Sequence, residues 1–401
     1  MLDLGQKSLT ILVVGLMQSD NLGDMVIAEV IAQRLKKRGC TVRFLDISGS
    51  KLRPTVKPRP HNNYVEKGGS SNKNLGSSFS KITKPLFSML AWNRPKHRET
   101  RDNFLAEVRE CDIAIIGGGQ LITDGSAPRI ISIIDSCRKS SKPFVFFSVG
   151  ISSDLSWLAK KTLRRFMSKA SWSSARSEDC SIVLKELCAT AHSKITPDPA
   201  ILSLSCFDMG GIANQADCKR VATVGLNIQN LVDMRSYLDK NKITYGAFIS
   251  KIINLVKDAS LAGYNVEIFT NGNISDQHFA EFIYRAVAER GHNVRLASRP
   301  KSTKELVSLI AHNEFNICFR LHAAILSYAF RVPFICFPWD TKVSRVLREI
   351  GEEARVIDPS FWCAGSEFSI WDKVKMNERI ASNPVTAELI DTHIDEILQC
   401  V

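Results

Sequence analysis

Ile317-Cys318-Phe319-Arg320-Leu321-His322 is followed by the apolar run Ala323 to Phe330 and then by Val332-Pro333-Phe334-Ile335-Cys336. A short apolar strand ends on an arginine and a histidine, a helix starts there, and a second apolar strand follows at once. Such alternation builds a parallel sheet. Ligands collect at the carboxyl ends of strands in open α/β sheets, and the unpaired backbone N–H groups of a following helix favour anions. Arg320 and His322 are therefore candidate site residues. The structural alternative pairs Arg320 with a surface carboxylate and makes His322 a core histidine with satisfied hydrogen bonds.

Working outward, the same alternation fills the second half of the chain. It runs through strand Val221 to Ile228, helix Tyr245 to Leu261, strand Asn265 to Phe269, helix Asp276 to Glu289, strand Val294 to Leu296 and helix Thr303 to His312. Beyond Ile335 stands Phe337-Pro338-Trp339-Asp340-Thr341-Lys342, where Asp340 is placed to cap a helix reaching Ile350. Lys342 then falls in the first turn, where a cation opposes the helix dipole by about 0.3–1 kcal/mol. An anion nearby would offset that cost.

The first half opens with a β-branched strand, Leu9 to Val14, a loop Gly15 to Asp24, a helix Met25 to Lys37 ended by Gly39, and a strand Thr41 to Leu45. The dinucleotide fingerprint G-x-G-x-x-G is missing. The loop instead reads Asn21-Leu22-Gly23-Asp24, with Asp24 expected to cap the helix and Gly23 to permit close backbone approach. Strand Ile113 to Ile116 runs directly into Gly117-Gly118-Gly119, whose amides can face a ligand without Cβ obstruction, and Asp124 lies just beyond. Helix Ile130 to Arg138, strand Phe144 to Val149 and helix Leu155 to Ala170 follow. Trp172 to Asp179 is a strand entering a helix, and Pro197-Asp198-Pro199-Ala200 is a rigid extended turn. The expected division is residues 1–205 as a first Rossmann-like domain, 206–220 as linker and 221–401 as a second, whose last helices can pack back on the first.

The chain has 401 residues, enough for two domains, and its 44% apolar content is ample for two cores. Its 11 cysteines are dispersed with no C-x-x-C pair, which argues for free thiols in a reducing compartment and against zinc. No apolar run approaches the ~20 residues of a spanning helix, so a cytoplasmic protein is expected. The formal charge is +12, of which +10 lies between Gly49 and Arg101 and only +2 in the rest. The excess belongs to an insert, and no nucleic-acid partner is expected. Gly49 to Ser80 is too polar to bury much and reads as a mobile loop. Pro85 to Trp92, flanked by Lys81, Lys84, Arg94, Lys96 and Arg98, is suited either to cover the domain or to touch an anionic membrane surface through residues 81–101, at the inner face.

Taken together, Asn21-Leu22-Gly23-Asp24, Gly117-Gly118-Gly119, Pro197-Asp198-Pro199-Ala200, Arg320-Leu321-His322 and Pro338-Trp339-Asp340-Thr341-Lys342 resemble the polysaccharide pyruvyl transferase family, in an order that covers about Leu9 to Gly351. The resemblance implies two Rossmann-like domains facing across a cleft, similar to the type B glycosyltransferases. It implies transfer of a pyruvyl group from phosphoenolpyruvate to a hydroxyl pair of a sugar or glycan, free or lipid-linked, forming a cyclic ketal and releasing phosphate. No cofactor and no metal are required. His322 is then the candidate general acid, with Asp24 or Asp124 orienting or deprotonating the acceptor. Arg320, Lys342 and the Gly117 to Gly119 amides are the candidates for donor binding. Asn21, Gly23, Arg176 and Asn227 are acceptor or loop candidates. Two positions depart from the family: Arg176-Ser177 replaces a frequent Arg-Asp pair, and Asn227 stands where an arginine often ends the strand. Two rival readings share the sequence features, a nucleotide-sugar glycosyltransferase on the same fold and a non-catalytic membrane- or nucleic-acid-binding protein using the insert.

Overall fold

The computed structural model describes residues 8–49, 92, 94–188, 193–207, 222–289, 291–362, 380 and 384–401. The chain forms two compact units. The first comprises Met1–Gln18, Ile31–Thr196 and Thr392–Val401, and the second Ser19–Val30 and Pro197–Asp391. The turn at 197–205, expected to close the first domain, therefore belongs to the second unit. Most of the expected linker, from 208 onward, lies outside the described residues, as do residues 50–91 and 93 of the basic insert.

In the first unit, strands β1 (Thr10–Gly15), β2 (Thr41–Asp46), β3 (Ile113–Gly117), β4 (Phe144–Val149), β5 (Trp172–Ala175) and β6 (Ser193–Ile195) form a six-stranded sheet ordered β2-β1-β3-β4-β5-β6. Every pair is parallel. β3 and β4 are buried along their whole length, which is why they read as unbroken apolar runs rather than alternating ones. The helices are α2 (Arg98–Arg109), α3 (Ala127–Lys139), α4 (Trp157–Met167) and α5 (Glu178–Leu187), together with the end of α1 (Leu22–Lys36), whose first part to Val30 belongs to the second unit. α1 starts at Leu22, before the expected Met25. Asn21 rather than Asp24 caps it, its Oδ1 accepting from the Gly23 N–H at 3.4 Å. Trp92, expected on a membrane-facing or covering segment, is buried in the core. Its Nε1 donates to Ser132 Oγ at 2.6 Å, and its ring stacks on His97.

In the second unit, β7 (Thr223–Asn227), β8 (Asn265–Phe269), β9 (Val294–Leu296), β10 (Phe315–Cys318) and β11 (Phe334–Cys336) form a five-stranded sheet ordered β11-β10-β7-β8-β9, again all parallel. Its helices are α6 (Leu231–Lys240), α7 (Tyr245–Leu261), α8 (Ile274–Ala288), α9 (Thr303–Ala311), α10 (Leu321–Ala329) and α11 (Thr341–Glu349), and α12 (Pro384–Leu398) ends the chain. α10 is buried on every side, so its apolar sequence carries no amphipathic stripe. Phe248, Phe319, Phe337, Phe361 and Trp362 form an aromatic cluster in the core of this unit. No helix among the described residues is long and apolar enough to cross a membrane.

Strand order reverses between β7 and β10. In an open parallel sheet the carboxyl ends of the two strands flanking such a reversal form the natural ligand crevice. Asn227 ends one and Arg320 follows the other.

Candidate active site

Arg320 occupies the N-cap position of α10. Its backbone N–H donates to Asn227 Oδ1 at 2.9 Å, and Asn227 Nδ2 donates to Asn271 Oδ1 at 3.0 Å. The asparagine that departs from the family pattern thus stitches three strand ends together. The Arg320 guanidinium donates through Nε to Asp276 Oδ2 at 2.8 Å and through Nη2 to Asp276 Oδ1 at 2.7 Å. Nη2 also donates to Asp233 Oδ2 at 2.6 Å. Burial works against this charge, but the two carboxylates outweigh it and hold the arginine above its ordinary value. Asn230, which caps α6, adds its own N–H and Nδ2 to Asp276. The fork expected to grip a donor phosphate or carboxylate is engaged by a carboxylate of the chain itself. Arg320 thus pairs with the buried carboxylate of Asp276 and with the exposed one of Asp233.

His322 lies one residue into α10 and is buried. Its Nε2 makes no hydrogen bond and stands 3.6 Å from Asp198 Oδ2, whose side chain is fully buried. Asp198 is set between two prolines, and its Oδ1 accepts from the Ala200 N–H at 3.0 Å, which leaves the other oxygen toward the ring. On the opposite edge the ring lies against Gly23. A Cβ there would fall 2.3 Å from Nδ1 and 2.5 Å from His322 Cβ. Gly23 was expected to permit close backbone approach, and His322 is the group that approaches. The Leu22 N–H donates to Asn271 O at 2.9 Å, fixing the same loop to the end of β8. Asp24 follows in the first turn of α1.

Asp340 caps α11 as expected, accepting from the Lys342 N–H at 2.9 Å. Lys342 Nζ lies 3.5 Å from Asp340 Oδ2 and 4.4 Å from the centre of the Trp339 ring. Capping carboxylate and indole face offset the first-turn position of this cation. Beside α8 a shallow groove of about 550 Å³ is lined by Ile274, Gln277, His278, Glu281, Leu296 and Arg299 among others. Arg299 donates from Nε to Gly272 O and from Nη2 to Asp20, on the approach to the Gly23 loop.

The other sequence candidates belong to the first unit. Gly118 and Gly119 adopt φ of 81° and 66°, but the Gly118 N–H donates to Phe147 O at 3.3 Å, so this amide serves the strand end. A Cβ on Gly117 would lie 2.1 Å from Phe147 O, which makes its glycine a strand-packing requirement. Asp124 accepts from the Ser156 N–H and Oγ at 2.9 and 3.0 Å, anchoring the cap of α4. Arg176 is buried, with its guanidinium next to Gly150. Ser177 takes the N-cap position of α5 without a side-chain hydrogen bond.

Sequence reasoning missed Asp198, Asp276, Asp233 and Asn230. Pro197-Asp198-Pro199 was a visible signal read as a turn, whereas Asp276 entered only as the start of an expected helix and Asp233 carried no mark of its own. No group of three or more His, Cys, Asp or Glu among the described residues could hold a metal ion.

The structure resembles UDP-GlcNAc 2-epimerase from Methanocaldococcus jannaschii, with a TM-score of 0.57 at 11% identity over 98% of this chain and 99% of that one. It also resembles the Neisseria meningitidis UDP-GlcNAc 2-epimerase solved with UDP-GlcNAc, with a TM-score of 0.55 at 13% identity over 97% and 99%. At such identities the likeness establishes the fold, a type B glycosyltransferase-like α/β architecture with two parallel sheets. No curated protein matches the sequence. The sequence profile described as Polysaccharide pyruvyl transferase matches residues 21–341, from the asparagine that caps α1 to the first residue of α11. The chain belongs to the polysaccharide pyruvyl transferase family.

Proposed function

We propose that the protein moves a pyruvyl group from phosphoenolpyruvate onto two hydroxyls of a sugar, in a polysaccharide or its precursor, as a cyclic ketal with release of phosphate. The observation that carries this reading is the buried histidine His322, held at the strand reversal between a carboxylate and a glycine, in a chain of this family. A proton goes to the methylene carbon, which becomes the methyl group. One hydroxyl adds to the neighbouring carbon, the C–O bond to phosphate breaks, and the second hydroxyl closes the ketal. Of the two hydroxyl protons, one balances the proton given to carbon and the other leaves on phosphate.

His322 is the proton carrier in this scheme, since imidazole works in both protonation states near neutrality. Lys342 supplies the compact cation for the donor. Arg320, already engaged by Asp276 and Asp233, holds the strand ends in place. Asp24, in the first turn beside Gly23, is the candidate to orient the acceptor. The planar polar side chains of the groove beside α8 suit sugar hydroxyls.

Purified protein given phosphoenolpyruvate and a panel of sugars tests the reading through phosphate release and the mass gain of a ketal. Phosphate release with a ketal product supports it. Release of nucleotide from a nucleotide sugar, with no reaction of phosphoenolpyruvate, would replace it by glycosyl transfer.

A further inference from the structure

The nitrogens of His322 have different surroundings, and the difference assigns their roles. Nε2 points at Asp198 Oδ2, 3.6 Å away, and the carboxylate side chain is fully buried. Nε2 is itself buried on that side of the ring. Nδ1 lies against the backbone of Gly23, where a Cβ would fall 2.3 Å from it, so only a glycine leaves room beside this nitrogen. A histidine whose one nitrogen faces a carboxylate carries its neutral-state proton on that nitrogen and does chemistry with the other.

We propose that Asp198 is a positioning residue: it turns Nε2–H inward and leaves Nδ1, on the Gly23 side, as the nitrogen that exchanges a proton with the substrate. The contact shortens by under 1 Å to become a charge-assisted hydrogen bond, and such contacts often tighten only in the reacting complex. Three features single out Asp198 for this task. The flanking prolines fix its backbone, the Ala200 N–H anchors Oδ1, and the turn at 199–205 packs directly on α10. Gly23 then does more than permit a tight turn. Because a methyl at 23 would meet the His322 Cβ as well as its ring, no rotation about the side chain relieves the clash.

The part of this inference that concerns turnover rests on the proposed pyruvyl transfer, whereas the tautomer does not. The test therefore has two arms on the full chain. In the first, nitrogen-15 chemical shifts of the histidine rings are recorded, with His322→Gln used to assign the His322 signal. At a pH where the ring is neutral, the expected wild-type proton position is Nε2, and Asp198→Asn should shift that signal toward a mixture. A wild-type ring protonated on Nδ1 overturns the proposal. In the second arm, Asp198→Asn keeps the acceptor for Ala200 and so preserves the turn. It should lower kcat by about 10²- to 10⁴-fold while KM for phosphoenolpyruvate stays within about threefold. Gly23→Ala, a favourable change for an α-helix, should abolish turnover in a folded protein. Full turnover in either variant overturns the proposal. A wild-type protein inert toward phosphoenolpyruvate sinks the functional reading instead, and the tautomer arm then decides this inference alone.

Discussion

Arg320 and Asp276 form a two-point pair in which Nε and Nη2 of the guanidinium meet both carboxylate oxygens, at 2.8 and 2.7 Å. The Asp276 side chain is fully buried and that of Arg320 is 11% exposed, so the pair is a desolvated one. It joins the N-cap of α10 to the first turn of α8, with Asp233 of α6 as a third point. The three helices begin at three different strand ends, and one side chain holds them in register.

Breaking this pair from the acid side leaves a buried cation with Asp233 alone. Asp276→Ala should therefore destabilise the second unit by about 3–5 kcal/mol, the usual cost of stranding a buried charge. Urea denaturation followed by tryptophan fluorescence measures it. A loss below 1 kcal/mol would show that the pair is not structural.

Replacement of His322 tests chemistry rather than stability. His322→Ala should reduce kcat for phosphate release by about 10²- to 10⁴-fold, with KM for phosphoenolpyruvate little changed. An unchanged kcat removes the residue from proton transfer.

Two glycines of the first unit separate steric from conformational need. Gly117→Ala sets a methyl 2.1 Å from the Phe147 carbonyl oxygen, inside the central strand pair, and should cost at least the 1–3 kcal/mol typical of overpacking. Gly39→Ala meets no atom within 4 Å, and only its φ of 78° opposes it, for about 1–2 kcal/mol. Thermal melts of the two variants should rank Gly117→Ala as the more damaging.

His393 gives the fold an acid limit. Burial pushes its imidazole below the ordinary 6.5, with Glu396 opposing and Lys194 reinforcing the shift. Its Nδ1 lies 2.8 Å from Thr196 Oγ1, inside the polar chain that continues to Ser174 and Ser148. The unfolded chain then binds the proton more tightly. This contribution is indifferent to pH above about 6.5, and stability falls as pH drops below 6.5 until the lower native value is passed. Glu396 and Asp395, both held below their ordinary values by ion pairs, add their loss only at lower pH. Stability measured between pH 7 and 5 should decline in the wild type and decline less in His393→Gln. Equal slopes would exclude His393 as the source.

The sequence by itself determined the two parallel sheets and the place of the site along the chain. Buried parallel strands must be apolar on both faces, and helix ends must be capped within a few residues, so both leave local marks. Those marks located Arg320-Leu321-His322, Asp340 and the close approach at Gly23. Only the tertiary structure decided which groups these residues meet. Asp276 and Asp233 look like helix-start acids because a first-turn carboxylate is favourable on local grounds alone, and nothing in the chain announces that they also bind Arg320. Asp198 looks like a turn residue for the same reason. Their partners are set by the order β11-β10-β7-β8-β9, which places β10 beside β7 and brings the 197–205 turn onto α10. Strand order arises from packing many elements at once, and no short stretch of sequence carries it.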